Sequence, residues 1–458
     1  RFFAEGAFNQ AFIPIYSDFE KANNKNNTDE FLNSLAGILI SSLFVFTILV
    51  LIFAPIFIFI FAPGFYFDPI KKDISVNVLR IMFPYLALIS LVSFAAGIQN
   101  THNKFSIPAF TPIIFNLSLI IAAIFIAPMY EMPIYVLAWG VLLAGIFQLL
   151  LQLIPLRQIN RLPIPKLNIN NEGVNQFFKL ILPAVLAGGI IQINLLVDTI
   201  FASLLETGSP TWLYVSDRLI QFPMGIFAIA VGTILLPTLS KFDLSYEKDK
   251  FISSIQKGQR FVLFIGIPSL IGLFFCAEDL ISTIFYRGAF TESDVINSSY
   301  SLMAFSIGLP FFMLMKVLTP AFFARKDTKT PMYVAFASLI LNALLNYYLA
   351  FVLDYGHVGI AIGSSIAAII SVCVLEILLH RNGFIEFKSI FNKFNLNILV
   401  SNLFLIIFLY FYTSQIDFMK LNQIERFFNL LFEVTASVII YFSISRLILK
   451  KPLRLLFD

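Results

Sequence analysis

The chemistry in this sequence lies in a few charged and amide side chains set inside long apolar runs. Arg218 stands in Tyr214-Val-Ser-Asp217-Arg218-Leu-Ile-Gln-Phe-Pro-Met-Gly225, part of a stretch long enough to cross a membrane. A guanidinium there either pairs with Asp217 and snorkels to the interface, or faces a polar cavity and meets an anion. Its forked donors suit a phosphate. Arg1 and Glu5 lie four residues apart and share a helix face. They form either an ordinary i,i+4 pair or a cation steadied by a carboxylate that also accepts sugar hydroxyls. Lys316, mid-run in Met313-Leu-Met-Lys-Val, either snorkels or places a cation between lobes. A second set is acidic or neutral: Asp198 in Ile193-Asn-Leu-Leu-Val-Asp-Thr-Ile, Asn342 and Asn346 one turn apart, and Ser364 after Val358-Gly-Ile-Ala-Ile-Gly363. Together these offer oxygen ligands for a hard monovalent ion. The asparagines alone are equally suited to interhelical hydrogen bonding.

The elements that must position these groups are membrane helices. Hydrophobic residues make up 59% of the 458 and charged residues 13%, against about 45–50% and about 25% in soluble domains. That balance excludes a soluble globular chain, a disordered chain and a disulfide scaffold. A span needs about 20 mainly apolar residues. Thirteen stretches qualify: 4–21, 31–61, 75–99, 109–128, 134–156, 174–206, 211–240, 252–275, 296–323, 331–352, 357–379, 394–414 and 427–449. The loops alternate in charge: 21 of the 31 Lys and Arg fall on one side and 6 on the other. Basic loops stay in the cytoplasm, so the C-terminus is expected there. The chain opens at Arg1 with no recognisable start, and is expected to lack its natural N-terminus.

Two parts of the chain echo each other at a shift of about 225 residues. Pro14 and Phe19 correspond to Pro237 and Phe242, Gly64 to Gly288, Pro84 to Pro310, and Asn116 to Asn342. The halves share one orientation, as in transporters whose lobes rock about a central site. The expected domains are an N-lobe at 1–156, a cytoplasmic linker at 157–173, a C-lobe at 174–380 and two added helices at 381–458. Enzyme signatures are missing from the sequence: there is no P-loop, nucleotide-binding glycine pattern or nucleophile elbow. Cys276 and Cys373, and His102, His357 and His380, are too scattered to suggest a metal centre. The expectation is a transporter without a cofactor, driven by an ion gradient, the membrane potential or its substrate gradient.

Several strings carry a family resemblance. Arg1-Phe-Phe-Ala-Glu-Gly-Ala-Phe-Asn-Gln-Ala-Phe-Ile-Pro14 resembles the second helix of the MurJ (MviN) family, and Asn100-Thr-His-Asn-Lys-Phe-Ser-Ile-Pro-Ala109 its fourth-to-fifth helix connection. Asp217-Arg-Leu-Ile-Gln-Phe-Pro-Met-Gly225 with Leu235-Leu-Pro-Thr-Leu-Ser240 resembles its eighth helix. Gly288-Ala-Phe-Thr and Phe323-Ala-Arg-Lys-Asp-Thr-Lys-Thr-Pro331 complete the set. The resemblance implies an all-α polytopic fold of the MOP exporter superfamily, similar to MATE transporters. Two six-helix lobes are followed by two extra helices that form a lipid-tail groove, and 13 of the family's fourteen helices are present. It implies a flippase that carries lipid II, the undecaprenyl-pyrophosphoryl disaccharide-pentapeptide, to the outer leaflet of the cytoplasmic membrane by alternating access, for peptidoglycan synthesis. Arg1, Glu5 and Arg218 match family positions needed for function, Asp217 precedes Arg218 in the matched motif, and Thr211 stands where the family has a small hydroxyl residue. Asp198, Asn342 and Asn346 fall near a sodium site of some members, with Asn346 in place of an aspartate. The implied partners are lipid II, membrane lipids and peptidoglycan-synthesis proteins, with no nucleic acid; sodium or protons are the implied coupling ions.

Three alternatives stay open on the sequence. One is a flippase for another polyprenyl-linked glycan, or a MATE-type antiporter, which would favour an acidic and aromatic cavity. Another is a membrane glycosyltransferase or polymerase, which would need a catalytic carboxylate in a large outer loop. The third is a scaffold with a degenerate site.

Overall fold

The computed structural model describes residues 7–22, 24–243, 246–385 and 393–449. The chain folds into two compact units, residues 1–193 and 194–458. The first contains α1 (Ala7–Lys21), α2 (Lys25–Ile52), α3 (Ala54–Phe61), α4 (Pro63–Phe67), α5 (Pro69–Met82), α6 (Pro84–Thr101), α7 (Ser106–Ile121), α8 (Pro133–Gln158) and most of α9 (Glu172–Leu204). The second contains the end of α9, α10 (Ser209–Pro223), α11 (Ile229–Ser240), α12 (Lys248–Phe275), α13 (Ala277–Phe285), α14 (Glu292–Phe323), α15 (Lys329–Tyr347), α16 (Gly356–Arg381), α17 (Lys393–Gln415) and α18 (Gln423–Leu449). Among the described residues 11 helical stretches are long and apolar enough to cross a membrane, each coinciding with an expected span. The two remaining expected spans, 4–21 and 174–206, coincide with α1 and α9.

The duplication has a fixed register. A shift of 223 residues carries α2 onto α12, the joined stretch Pro69–Thr101 onto α14, Ser106–Met129 onto Lys329–Val352, and α8 onto α16. The helix ends obey the same shift. Asn103 and Lys326, and Asn160 and Gly383, take positive φ. In each case the following N–H bonds back across the last turn: Lys104 to the Gln99 carbonyl and Asp327 to that of Phe322, Arg161 to Leu156 and Phe384 to Leu379. This is the Schellman closure, which satisfies carbonyls that a helix end leaves free. The pairs Pro84/Pro310 and Asn116/Asn342 lie three residues outside this register. They are therefore not structural equivalents, although the duplication they suggested is present.

Expected span 31–61 is interrupted. α2 ends at Ile52, and Pro55 stands near the start of α3. Proline has no N–H for the carbonyl four residues back. That carbonyl belongs to Leu51, and the Nε of Arg80 donates to it at 3.1 Å. An unsatisfied backbone group in lipid costs several kcal/mol, so Arg80 is part of the reason the break is tolerated.

Segment 157–173, expected as a linker, is strapped to the first unit. Lys166 N donates to Asn33 O at 2.9 Å and Ile164 N to Asn33 Oδ1 at 2.6 Å. Arg161 forms ion pairs with Asp29 at 2.6 Å and Glu20 at 2.9 Å. The Tyr16 hydroxyl donates to Glu20 at 2.8 Å and also contacts His102 Nε2 at 2.8 Å. The boundary between the units falls inside α9, and Val174, Phe177 and Ile181 are buried in the first unit's core with Phe8, Phe12 and Phe31. The two added helices attach to α12: Leu405 and Leu409 of α17 pack with Ile271 and Cys276, and Tyr441 of α18 donates to the Phe264 carbonyl at 2.7 Å.

A Cβ on Gly37 would lie 2.2 Å from the Lys166 carbonyl oxygen. Gly37→Ala should therefore lift the strap from α2 and cost about 1–3 kcal/mol, in the range of overpacking. A lower melting temperature of the purified protein in detergent is the expected reading. An unchanged one would show that the strap adds nothing to stability.

Candidate functional site

Two polar groups stand out in the second unit, and α10 carries the first. Ser209, Trp212, Leu213, Ser216, Ile220 and Pro223 are buried. The Ser216 hydroxyl donates to the Ser298 carbonyl at 2.7 Å, and Trp212 Nε1 to Asp294 Oδ1 at 2.7 Å. His357 packs its ring against Trp212, centroids 4.7 Å apart, and takes a 2.7 Å hydrogen bond with Ser301. These contacts clamp one face of α10 to α14. Helical periodicity then puts Thr211, Tyr214, Arg218 and Gln221 on the opposite face.

On that face the Arg218 guanidinium lies over the Tyr214 ring, 4.7 Å from its centroid. Its Nη1 donates to Gln221 Oε1 across 3.5 Å, and its buried Nε has no hydrogen-bond partner among the described residues. Gln221 Nε2 donates to Asp217 Oδ2. The arginine is thus held by neutral groups on its own helix, with donor capacity left over. Immediately beyond, Met224–Ala228 forms a π-helical turn following Pro223. Such turns often mark functional sites.

The second group joins α9, α15 and α16. Asn346 Nδ2 donates to Asp198 Oδ1 at 2.6 Å and to Asn342 Oδ1 at 3.1 Å. Asn342 Nδ2 donates to Ser364 Oγ at 3.0 Å. Both asparagines and Ser364 are buried. Asn346 Oδ1 is buried with no partner among the described residues, and a Cβ on Gly363 would meet it. The amide therefore sits with a donor wedged between two acceptor oxygens and its own oxygen unused. Turned over, it would present Asn346 Oδ1 beside the oxygens of Asp198, Asn342 and Ser364. One carboxylate among neutral oxygens matches a hard monovalent cation in charge and ligand type.

The structure thus brings together all four residues expected around an ion. It also groups Arg218 with Asp217 on one helix, with Thr211 exposed two turns earlier on the Arg218 face. Lys316 is exposed on α14, its carbonyl 3.0 Å from where a Cβ on Gly232 would stand. Among the described residues no contact joins it to Arg218. Arg1 and Glu5 lie outside the described residues. Sequence reasoning missed Gln221, Tyr214 and Gly363. The first two were legible as i+3 and i−4 neighbours of Arg218 within the motif, whereas no local pattern marked Gly363.

Gly363→Ala should push the Asn346 amide off Asp198 and destabilise the protein by about 1–3 kcal/mol. Asn346→Ala in the same chain should recover part of the loss, because it removes the colliding oxygen. Thermal melting of the single and double variants reads this, and additive losses would exclude the collision.

The family model for lipid II flippase MurJ matches residues 1–432. A probable lipid II flippase MurJ of Haemophilus influenzae is 34% identical over 455 residues, covering 96% of this chain and 89% of the relative. The probable lipid II flippase MurJ of Vibrio cholerae is 38% identical, with 84% of this chain and 74% of the relative covered. Among solved structures, a lipid II flippase MurJ in an inward closed conformation superposes with a TM-score of 0.78 at 28% identity, covering 97% of this chain and 88% of that one. An inward-facing MATE-family multidrug transporter of the MOP superfamily, 13% identical, gives 0.67 over 83% of this chain and 87% of that one. The MATE likeness is one of fold.

Proposed function

The chain belongs to the MurJ family and is a multi-pass membrane protein and lipid II flippase, and we propose that Arg218 is the group that takes the lipid's pyrophosphate. One observation carries the reading. A half-buried guanidinium stands within an apolar helix, held by an amide and an aromatic ring, with a buried Nε–H that has no acceptor among the described residues. A phosphate oxygen supplies that acceptor and a compensating charge. In a low-dielectric site the attraction is several times stronger than in water. Thr211, one face along α10, and Arg1, Glu5 and Lys316 extend the headgroup contacts in this reading, and α17 and α18 take the polyprenyl tail. The C-terminus is cytoplasmic, and the headgroup is loaded from the cytoplasmic side and released outside by alternating access. Enzymes of peptidoglycan synthesis are the implied protein partners.

Movement outward is assisted by the membrane potential. Each negative charge that leaves an inside-negative compartment moves down the potential and gains about 2.3 kcal/mol per 100 mV. Arg218→Ala removes a charge-assisted contact of about 1.5–3 kcal/mol. It should weaken lipid II binding about 10–100-fold and abolish rescue of a flippase-depleted strain, while the protein still inserts. The readout is lipid II exposed on the outer leaflet, counted with an impermeant probe. Full rescue by the variant would overturn the assignment.

The cluster Asp198, Asn342, Asn346 and Ser364 serves a coupling cation in this reading. The resident ion would be sodium, held by the four side-chain oxygens once the Asn346 amide is turned. Sodium should raise the melting temperature of the purified protein, choline should not, and Asp198→Asn should remove the effect. Equal melting in sodium and choline would discard the cation assignment and leave the cluster as an interhelical hydrogen-bond network.

A further inference from the structure

We propose that Gln221 is a positioning residue that keeps Arg218 available to the anionic headgroup by holding the neighbouring Asp217 carboxylate. The proposal rests on the reading of Arg218 as the pyrophosphate contact. Asp217 and Arg218 are consecutive, so their side chains leave the helix about 100° apart, and they meet only if the long arginine swings off its present contacts toward the carboxylate. Gln221 lies four residues from one and three from the other, Tyr214 on the preceding turn has the mirrored spacing, and of these two positions Gln221 carries the amide. Its amide Nε2 donates to Asp217 Oδ2 while its Oε1 accepts from Arg218 Nη1.

A carboxamide does both at once. It offers donors and an acceptor on one rigid plane without carrying charge. A glutamate here would repel Asp217, a lysine would repel Arg218, and an apolar residue would serve neither. The Tyr214 ring holds the guanidinium at 4.7 Å, so the arginine is steadied by two neutral neighbours. When Gln221 is removed, Asp217 loses that amide donor, and the adjacent guanidinium is a charged group that can swing across to take its place. In a poorly solvated site such an ion pair is strong. It would compete with the pyrophosphate for Arg218.

The test is binding of fluorescent lipid II to the full chain in lipid nanodiscs. Gln221→Ala should weaken binding about tenfold, the loss expected from one misdirected charge-assisted hydrogen bond. Adding Asp217→Asn should restore affinity to within about threefold of the unsubstituted protein, because the competing charge is gone. Gln221→Met, of similar volume and without a donor, replaces the alanine variant if that one does not fold. The proposal is overturned if Gln221→Ala binds normally, or if its defect persists with Asp217→Asn in a protein of unchanged melting temperature. Arg218→Ala is the control that separates the two layers. If it binds lipid II normally, the pyrophosphate reading itself has failed. If it is weak while the rescue fails, only the role of Gln221 is lost.

Discussion

Without water in the hydrocarbon region, every polar group must find its partner inside the protein, and the rest of this structure follows from that. Helices satisfy their own backbone, so the chain is built from them. Several departures from the helix carry their own remedy. Pro55 frees the Leu51 carbonyl and Arg80 takes it up. The helix ends at Thr101, Gln158, Phe323 and Arg381 close with a residue at positive φ and a back-bonded N–H. Side-chain amides obey the same demand. Gln99 donates to Gln152, and Gln152 to Thr111 at 2.7 Å, a buried chain that ties α6, α8 and α7 within the first unit.

The duplicated register shows what such a scaffold fixes and what it leaves free. Helix ends and cap geometry recur at a constant shift, yet the residues at those corners have diverged. Arg161 binds two carboxylates, Asp29 and Glu20. The same position in the second unit is Phe384, and Arg325 stacks on its ring at 4.0 Å with Lys248 5.2 Å away. A carboxylate network and a cation–π stack both satisfy a cationic corner. The backbone therefore persists while the chemistry changes. Gly140 and Gly363 occupy one register position, but the first packs against Ala122 and the second against the Asn346 amide. The oxygen-rich cluster with Asp198 thus belongs to the second unit.

The two polar groups answer the membrane differently. Around Asp198 the donors and acceptors are nearly closed upon one another, leaving one amide oxygen unused. Around Arg218 they are left open, since an amide and a ring steady the guanidinium without neutralising it. A closed group suits a small ion that is held by its ligands. An open one suits a large anion that must arrive and leave.

The sequence by itself determined the spans, the duplication, the class of transporter and the residues worth watching. Those signals are local: apolar length, the charge of short loops, and motifs such as Asp217-Arg218 read along one helix. Gln221 was within reach of the same reasoning, because its spacing to both charges lies in one turn. Tertiary structure alone decided the rest. It bonded Asn346 to Asp198 across 148 residues, set Gly363 against that amide, and strapped 157–173 to the first unit through Asn33 and Arg161. It also placed the unit boundary inside α9. These facts depend on which helix faces pack together. In a chain that is apolar on nearly every face, hydrophobic periodicity does not say which face that is.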